Sequence, residues 1–134
     1  MTQEEKALLL KDLCARLPYG VKCYVNGRIT VLECIYVFEN IVEYDSFLST
    51  NIENVKPYLF PMSSITEAIK DEIYQETGLY DIFEDNQIHI EVGTNFTDIC
   101  KLFNILNKHH IDYKGLIPMG LAIDATGLNI YIII

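Results

Sequence analysis

A chain of 134 residues, half of them apolar and about a fifth charged, can bury an ordinary hydrophobic core and is too apolar to be disordered as a whole. Its longest apolar runs, such as Leu8-Leu9-Leu10 and Ile130-Tyr131-Ile132-Ile133-Ile134, fall far short of the roughly 20 residues a membrane span requires, so no membrane partner is expected. The net charge of −9 is regional: residues 29–97 hold thirteen acids and two bases, a balance that argues against a direct grip on DNA or RNA.

The opening Met1-Thr2-Gln3-Glu4-Glu5-Lys6 puts acids ahead of the first base, unlike a secretory signal, and predicts a cytoplasmic location. Residues 2–16 read as a helix, with Thr2 as N-cap, Glu5 as its capping-box partner, and Ala7, Leu9, Leu10, Leu13, Cys14 and Leu17 as the apolar face. Pro18 ends it. Residues 21–25 then read as a strand, and Asn26-Gly27 is a strong hairpin signal leading into a return strand from Arg28. With Glu39-Asn40 as a second turn before residues 41–44, the first half predicts either a small SH3-like antiparallel barrel or a meander. Residues 52–59 read as a short helical turn or a strand.

Pro61 marks a break. A second helix over 67–77 starts at Ser63, Ser64 or Thr66 and is closed by Gly78. Asp81, Glu84, Asp85, Asn86 and Gln87 read as a polar loop, lacking the order of an EF-hand, and Ile88-His89-Ile90-Glu91-Val92 alternates as a strand. A third helix, capped by Asn95 or Thr97, runs over 97–110 with Ile99, Cys100, Leu102, Phe103, Ile105 and Leu106 on its buried side. Two strands are expected after it, one around residues 121–123 and one from Leu128 to Ile134. The last is apolar enough to need pairing inside a sheet or between copies of the chain, a route to homo-oligomers. The fold class is therefore α+β, a single domain over 1–134 with a subdivision near 61–66 that separates helix plus small barrel (1–60) from helices plus short strands (66–134).

The four cysteines, Cys14, Cys23, Cys34 and Cys100, lack the close spacing of zinc ribbons or redox pairs and read as reduced core side chains. Reactive side chains concentrate in residues 107–122, where His109, His110 and Asp112 form the only candidate catalytic group, with Cys100 one helix face away. Adjacent histidines at a helix end point about 100° apart, which suits capping of free carbonyls better than shared coordination of one ion. No cofactor or metal site is expected. Gly115 and Gly120 precede no Lys-Ser or Lys-Thr, so they form no phosphate loop. Nine tyrosines and no tryptophan fit packing or a partner surface; Tyr19, Tyr58 and Tyr113 beside turns, with the acidic Asp71 and Glu72, are the candidate interaction residues.

Three blocks carry a resemblance: LLLKDLCARLPYGVK at 8–22, VKPYLFPMSSITE at 55–67, and LNKHHIDYKGLI at 106–117 followed by GLA at 120–122. Together they resemble a family of small uncharacterised proteins carried by phages, prophages and genomes of Bacteroides-type gut bacteria, in which Phe60 is commonly an arginine. The chain departs from that pattern between Tyr74 and Asn95 and in its apolar tail from Asn129. The resemblance implies a bacterial or phage-derived cytoplasmic protein and carries over no catalytic residue. The expectation is a non-enzymatic module that binds another protein; the alternatives are a small metal-dependent or histidine-based hydrolase using His109, His110 and Asp112, and an acidic DNA mimic.

Overall fold

The computed structural model describes residues 1–131. Helix α1 (Gln3–Arg16) begins as expected: the Thr2 hydroxyl accepts from the Glu5 amide at 3.0 Å while the Glu5 carboxylate accepts from the Thr2 amide at 2.8 Å. Its inward face differs from the expected one. Leu9 and Leu13 are buried, Ala7 and Cys14 are exposed, and the other two inward positions are Asp12 and Arg16, both 0 % exposed.

After a 3-10 turn at Leu17–Tyr19, strand β1 (Lys22–Val25) turns through Asn26 and Gly27, both at positive φ, into β2 (Arg28–Tyr36). Two left-handed residues match the twist of a tight hairpin, which explains the Asn-Gly pair. β3 (Ile41–Tyr44) returns beside β2, with the register shifting between Leu32 and Cys34 so that Glu33 is the extra residue of a bulge. β4 (Leu48–Asn51), which the sequence does not announce, pairs with β3 and is followed by a 3-10 turn at Ile52–Asn54. β5 (Val55–Leu59) then lies antiparallel to the other side of β1.

Helix α2 (Glu67–Thr77) takes Thr66 as its N-cap and Gly78, at φ +75°, as its stop. β6 (Phe83–Glu84) and β7 (Gln87–Ile88) form a small separate hairpin around Asp85 and Asn86, so strand structure stops at Ile88 instead of running to Val92. Ile88 and Ile90 pack on the helical core; the alternation records that burial, and a longer strand has no neighbour to pair with among the described residues. Helix α3 (Phe96–Lys108), capped by Asn95, buries Leu102, Ile105, Leu106 and Asn107 and leaves Cys100 exposed. β8 (Ile123–Asp124) is short and parallel to β5.

The large sheet has the order β4-β3-β2-β1-β5-β8 and is open, so the meander describes it and a closed barrel does not. The final strand expected from Leu128 is replaced over residues 128–131 by bends and turns, with Gly127 and Asn129 at positive φ breaking the extension; Ile132, Ile133 and Ile134 lie outside the described residues. The cysteine expectation holds for Cys23 and fails for Cys14 and Cys100, which are exposed. No described helix is long and apolar enough to cross a membrane.

Two apolar clusters form. One joins α1 to the inner face of the sheet through Leu9, Leu13, Val25, Val42, Ile52 and Leu59. The other lies between α2 and α3 and includes Ile73, Ile82, Leu102, Leu106 and Ile111. The change of cluster falls close to Pro61, yet Leu116, Leu121 and Ala122 return to the first.

Candidate functional site

Residues 107–122 connect those clusters, and their backbone explains most of their side chains. His109 is the C-cap of α3, its amide donating to the Ile105 carbonyl at 3.1 Å. His110 follows at φ +58° and reverses the chain, so that the Ile111 amide returns to the Leu106 carbonyl at 2.9 Å. The chain then runs beside the continuation of β5: the Phe60 amide donates to His110 O at 2.8 Å and the Asp112 amide to Phe60 O at 2.7 Å. A helix stop is thus welded directly to the sheet.

The three candidate side chains serve three different partners. His109 Nε2 meets Glu72 Oε1 of α2 at 2.8 Å, and Lys108 bonds the same carboxylate. Partial burial alone would raise Glu72, but the hydrogen bonds from Lys108 and His109 outweigh it and hold the carboxyl below its ordinary value. His110 points inward, 7 % exposed, with its ring stacked on Tyr131 at 4.0 Å and 17°. Burial, reinforced by the charge of Arg16 and then that of His109, lowers its pKa to about 4, so its ring is neutral at pH 7. Asp112 accepts from the amides of Leu116 and Ile117, each at 2.8 Å, and closes the turn that carries Gly115. Among the described residues no group of three or more His, Cys, Asp or Glu side chains is placed to hold a metal ion.

Sequence reasoning overlooked the charged cluster beneath this segment. Arg16 Nε and Nη2 donate to the two Asp12 carboxylate oxygens at 2.9 and 3.1 Å, and Nη2 also donates to the Ile111 carbonyl at 2.6 Å. Lys114 approaches Asp12 at 3.4 Å and lies 4.6 Å from the centre of the Tyr113 ring, on which Arg16 also rests at 5.3 Å. The Tyr113 hydroxyl donates to the Asn107 side-chain carbonyl at 2.8 Å. Two buried atoms of the region, Arg16 Nη1 and His110 Nδ1, have no hydrogen-bond partner among the described residues. The available signal was the Asp12/Arg16 spacing of four, which ordinarily marks a solvated helix pair.

A cleft of about 520 Å³ opens over His110, lined among others by Tyr19, Lys22, Phe60, His109 and Tyr131, with no carboxylate among the described residues of its lining. The tail closes one side: the Tyr131 hydroxyl accepts from the Lys22 amide at 2.8 Å and donates to Tyr58 O at 2.7 Å, while Lys22 Nζ donates to Ile130 O at 2.7 Å. Of the expected interaction residues, Tyr19 borders the cleft, Asp71 is exposed and Glu72 is half-buried in its pairing with α3. Tyr58 is corrected: at 6 % exposure it belongs to the core and offers no accessible ring. Tyr113 is half-buried and packed against Phe103 with centroids 5.0 Å apart.

A different surface stands out in the turn between β3 and β4. Asp45, Ser46 and Phe47 take φ of 46°, 55° and 87° in succession, a left-handed run that L-residues avoid. Side chains of β2 pin it: the Thr30 hydroxyl donates to Asp45 at 2.7 Å, Arg28 donates to Asp45 at 3.0 Å, and the Glu33 carboxylate accepts from the Ser46 amide. The bonds from Thr30 and then Arg28 hold the Asp45 carboxyl below its ordinary value. The product is a Phe47 ring that is 91 % exposed, on a sheet whose Tyr24, Ile29 and Val31 are also exposed. No protein-family model, curated protein or solved structure matches the chain.

Proposed function

We propose that this chain is a protein-binding accessory module of phage or mobile-element origin, working in the cytoplasm and without chemistry of its own. The observation that carries the binding reading is Phe47. Leaving a phenylalanine almost wholly in water contributes nothing to folding, and three successive left-handed residues cost of order 1–3 kcal/mol each unless their surroundings impose them. Thr30, Arg28 and Glu33 hold the first two of them, through the Asp45 carboxylate and the Ser46 amide. A preordered, protruding aromatic ring is the typical centre of a protein interface, because it fills a partner's pocket with little loss of conformational freedom. The origin rests on the three resembling sequence blocks.

The test is a paired capture from bacterial lysate with wild-type protein and Phe47→Ser immobilised at equal density, followed by identification of retained proteins and remeasurement with the purified candidate. One partner retained by wild type and weakened at least tenfold by Phe47→Ser is expected. Equal retention by both proteins overturns the reading.

A further inference from the structure

A second cleft, of about 370 Å³, lies between α2 and the chain that follows it. Its floor is apolar, Ile73 being 1 % and Ile82 7 % exposed, with Leu79 and Phe83 beside them. Its mouth carries two tyrosines, Tyr74 and Tyr80, whose rings stand 6.2 Å apart at 69° and are 51 % and 72 % exposed. Around them sit Glu67, Asp71 and Asp81 against a single base, Lys70, which reaches Glu67 at 3.5 Å. Asp71 and Asp81 form no ion pair among the described residues.

The walls are held in place before any ligand arrives. Gly78 stops α2 with φ +75°, Thr77 Oγ1 accepts from the Leu79 amide at 3.0 Å and donates to Ile73 O at 2.7 Å, and the His89 amide donates to Ile82 O at 2.7 Å. The chain therefore doubles back with Tyr80 facing Tyr74.

An apolar floor, two ring edges and faces at the mouth, and unneutralised carboxylates around it match one kind of side chain: an alkyl stem ending in a cation. The stem covers the apolar walls, the cation meets the negative ring faces, and the carboxylates supply the counter-charge. Anions are repelled, and a purely apolar group would leave Asp71 and Asp81 partly desolvated without a partner. We propose that this cleft receives a lysine or arginine side chain from a basic segment of a partner protein. The segment that carries the cleft is acidic beyond the lining itself, since residues 67–91 hold eight acids and one base. The inference gives the protein-binding reading a partner chemistry but stands on other residues than Phe47.

The experiment is a titration of uniformly ¹⁵N-labelled full chain with the blocked peptide Gly-Lys-Arg-Lys-Gly, and with a control in which glutamine replaces each base. Saturable amide shifts confined to residues 70–83, at least tenfold weaker with the control, are expected. Tyr80→Leu and Asp81→Asn, the latter keeping a residue type that tolerates φ of 52°, should each weaken binding several-fold with an otherwise unchanged spectrum. Phe47→Ser should bind the peptide like wild type, which separates this cleft from the reading above. Equal response to the neutral peptide, no saturable shift into the millimolar range, or insensitivity to both cleft variants overturns the proposal. So do shifts at 70–83 that appear on concentrating the protein alone, which would assign the cleft to a second copy.

Discussion

At position 110 a histidine occupies left-handed backbone, φ +58°, in a site where its ring is buried against Tyr131 and one ring nitrogen lacks a partner among the described residues. Burial holds its pKa near 4 against an ordinary 6.5. The folded state therefore binds fewer protons than the unfolded chain between those values, so stability falls as pH drops from about 6.5 to about 4 and is unaffected above that window. The loss reaches at most about 3 kcal/mol, because each tenfold difference in proton affinity between the folded and unfolded states is worth about 1.4 kcal/mol. Urea unfolding from pH 7.5 to 4 should show this loss in wild type and a much flatter profile over 6.5–4.5 in His110→Asn, which keeps a residue tolerant of the backbone angle. Parallel profiles would remove His110 as the cause. Arg16 and Asp12 make a complementary case: removing one partner strands a fully buried charge, so Asp12→Ala should cost about 3–5 kcal/mol. Replacing both with Leu should cost much less than the two single changes combined, and a double-mutant cycle in urea measures the difference. None of this was legible, because an acid and a base four residues apart on a helix look the same in sequence whether water or protein surrounds them.

Elements with local causes were the legible ones. The capping box of α1, the Asn26-Gly27 hairpin, the Thr66 cap and the Gly78 stop all occur where their residue types place them, since each depends on atoms within four positions. β4 and its turn were hidden because their geometry is imposed from β2, across the sheet: nothing in Asp45-Ser46-Phe47 favours three left-handed residues. The 88–92 alternation misled for the converse reason, as it reported burial against helices and not a strand neighbour. The imposed turn yields its own prediction. If Phe47 is held for binding and not for packing, Phe47→Gly relieves the backbone while removing no buried contact, and the stability measured in urea should stay within about 0.5 kcal/mol of wild type or rise. A loss beyond about 1 kcal/mol would mean that the ring supports the fold.

Across the whole molecule, the break at Pro61 marks a change of apolar cluster, and cutting the chain there is expected to unfold its first half. The first cluster is completed by Leu116, Leu121 and Ala122, which are at most 7 % exposed, and β5 is paired by β8 through Ala125 N donating to Leu59 O at 2.8 Å. Arg16 depends on the Ile111 carbonyl and Asp12 on Lys114, so the only buried ion pair described draws its remaining partners from the distant segment. A fragment of residues 1–60 loses all of these at once: three core side chains, a sheet neighbour and the contacts of a buried charge. Each loss costs on the order of 1–5 kcal/mol, and together they are as large as the roughly 5–15 kcal/mol by which a domain is ordinarily stable. The fragment should therefore show an unfolded far-UV spectrum and a collapsed amide spectrum, while the full chain unfolds in one transition reported identically by far-UV circular dichroism and tyrosine absorbance. A folded 1–60 fragment, or two separated transitions in the full chain, would establish the halves as independent units. The segment that looked most like a reactive centre would then be a tether between two domains, instead of the join on which a single domain depends.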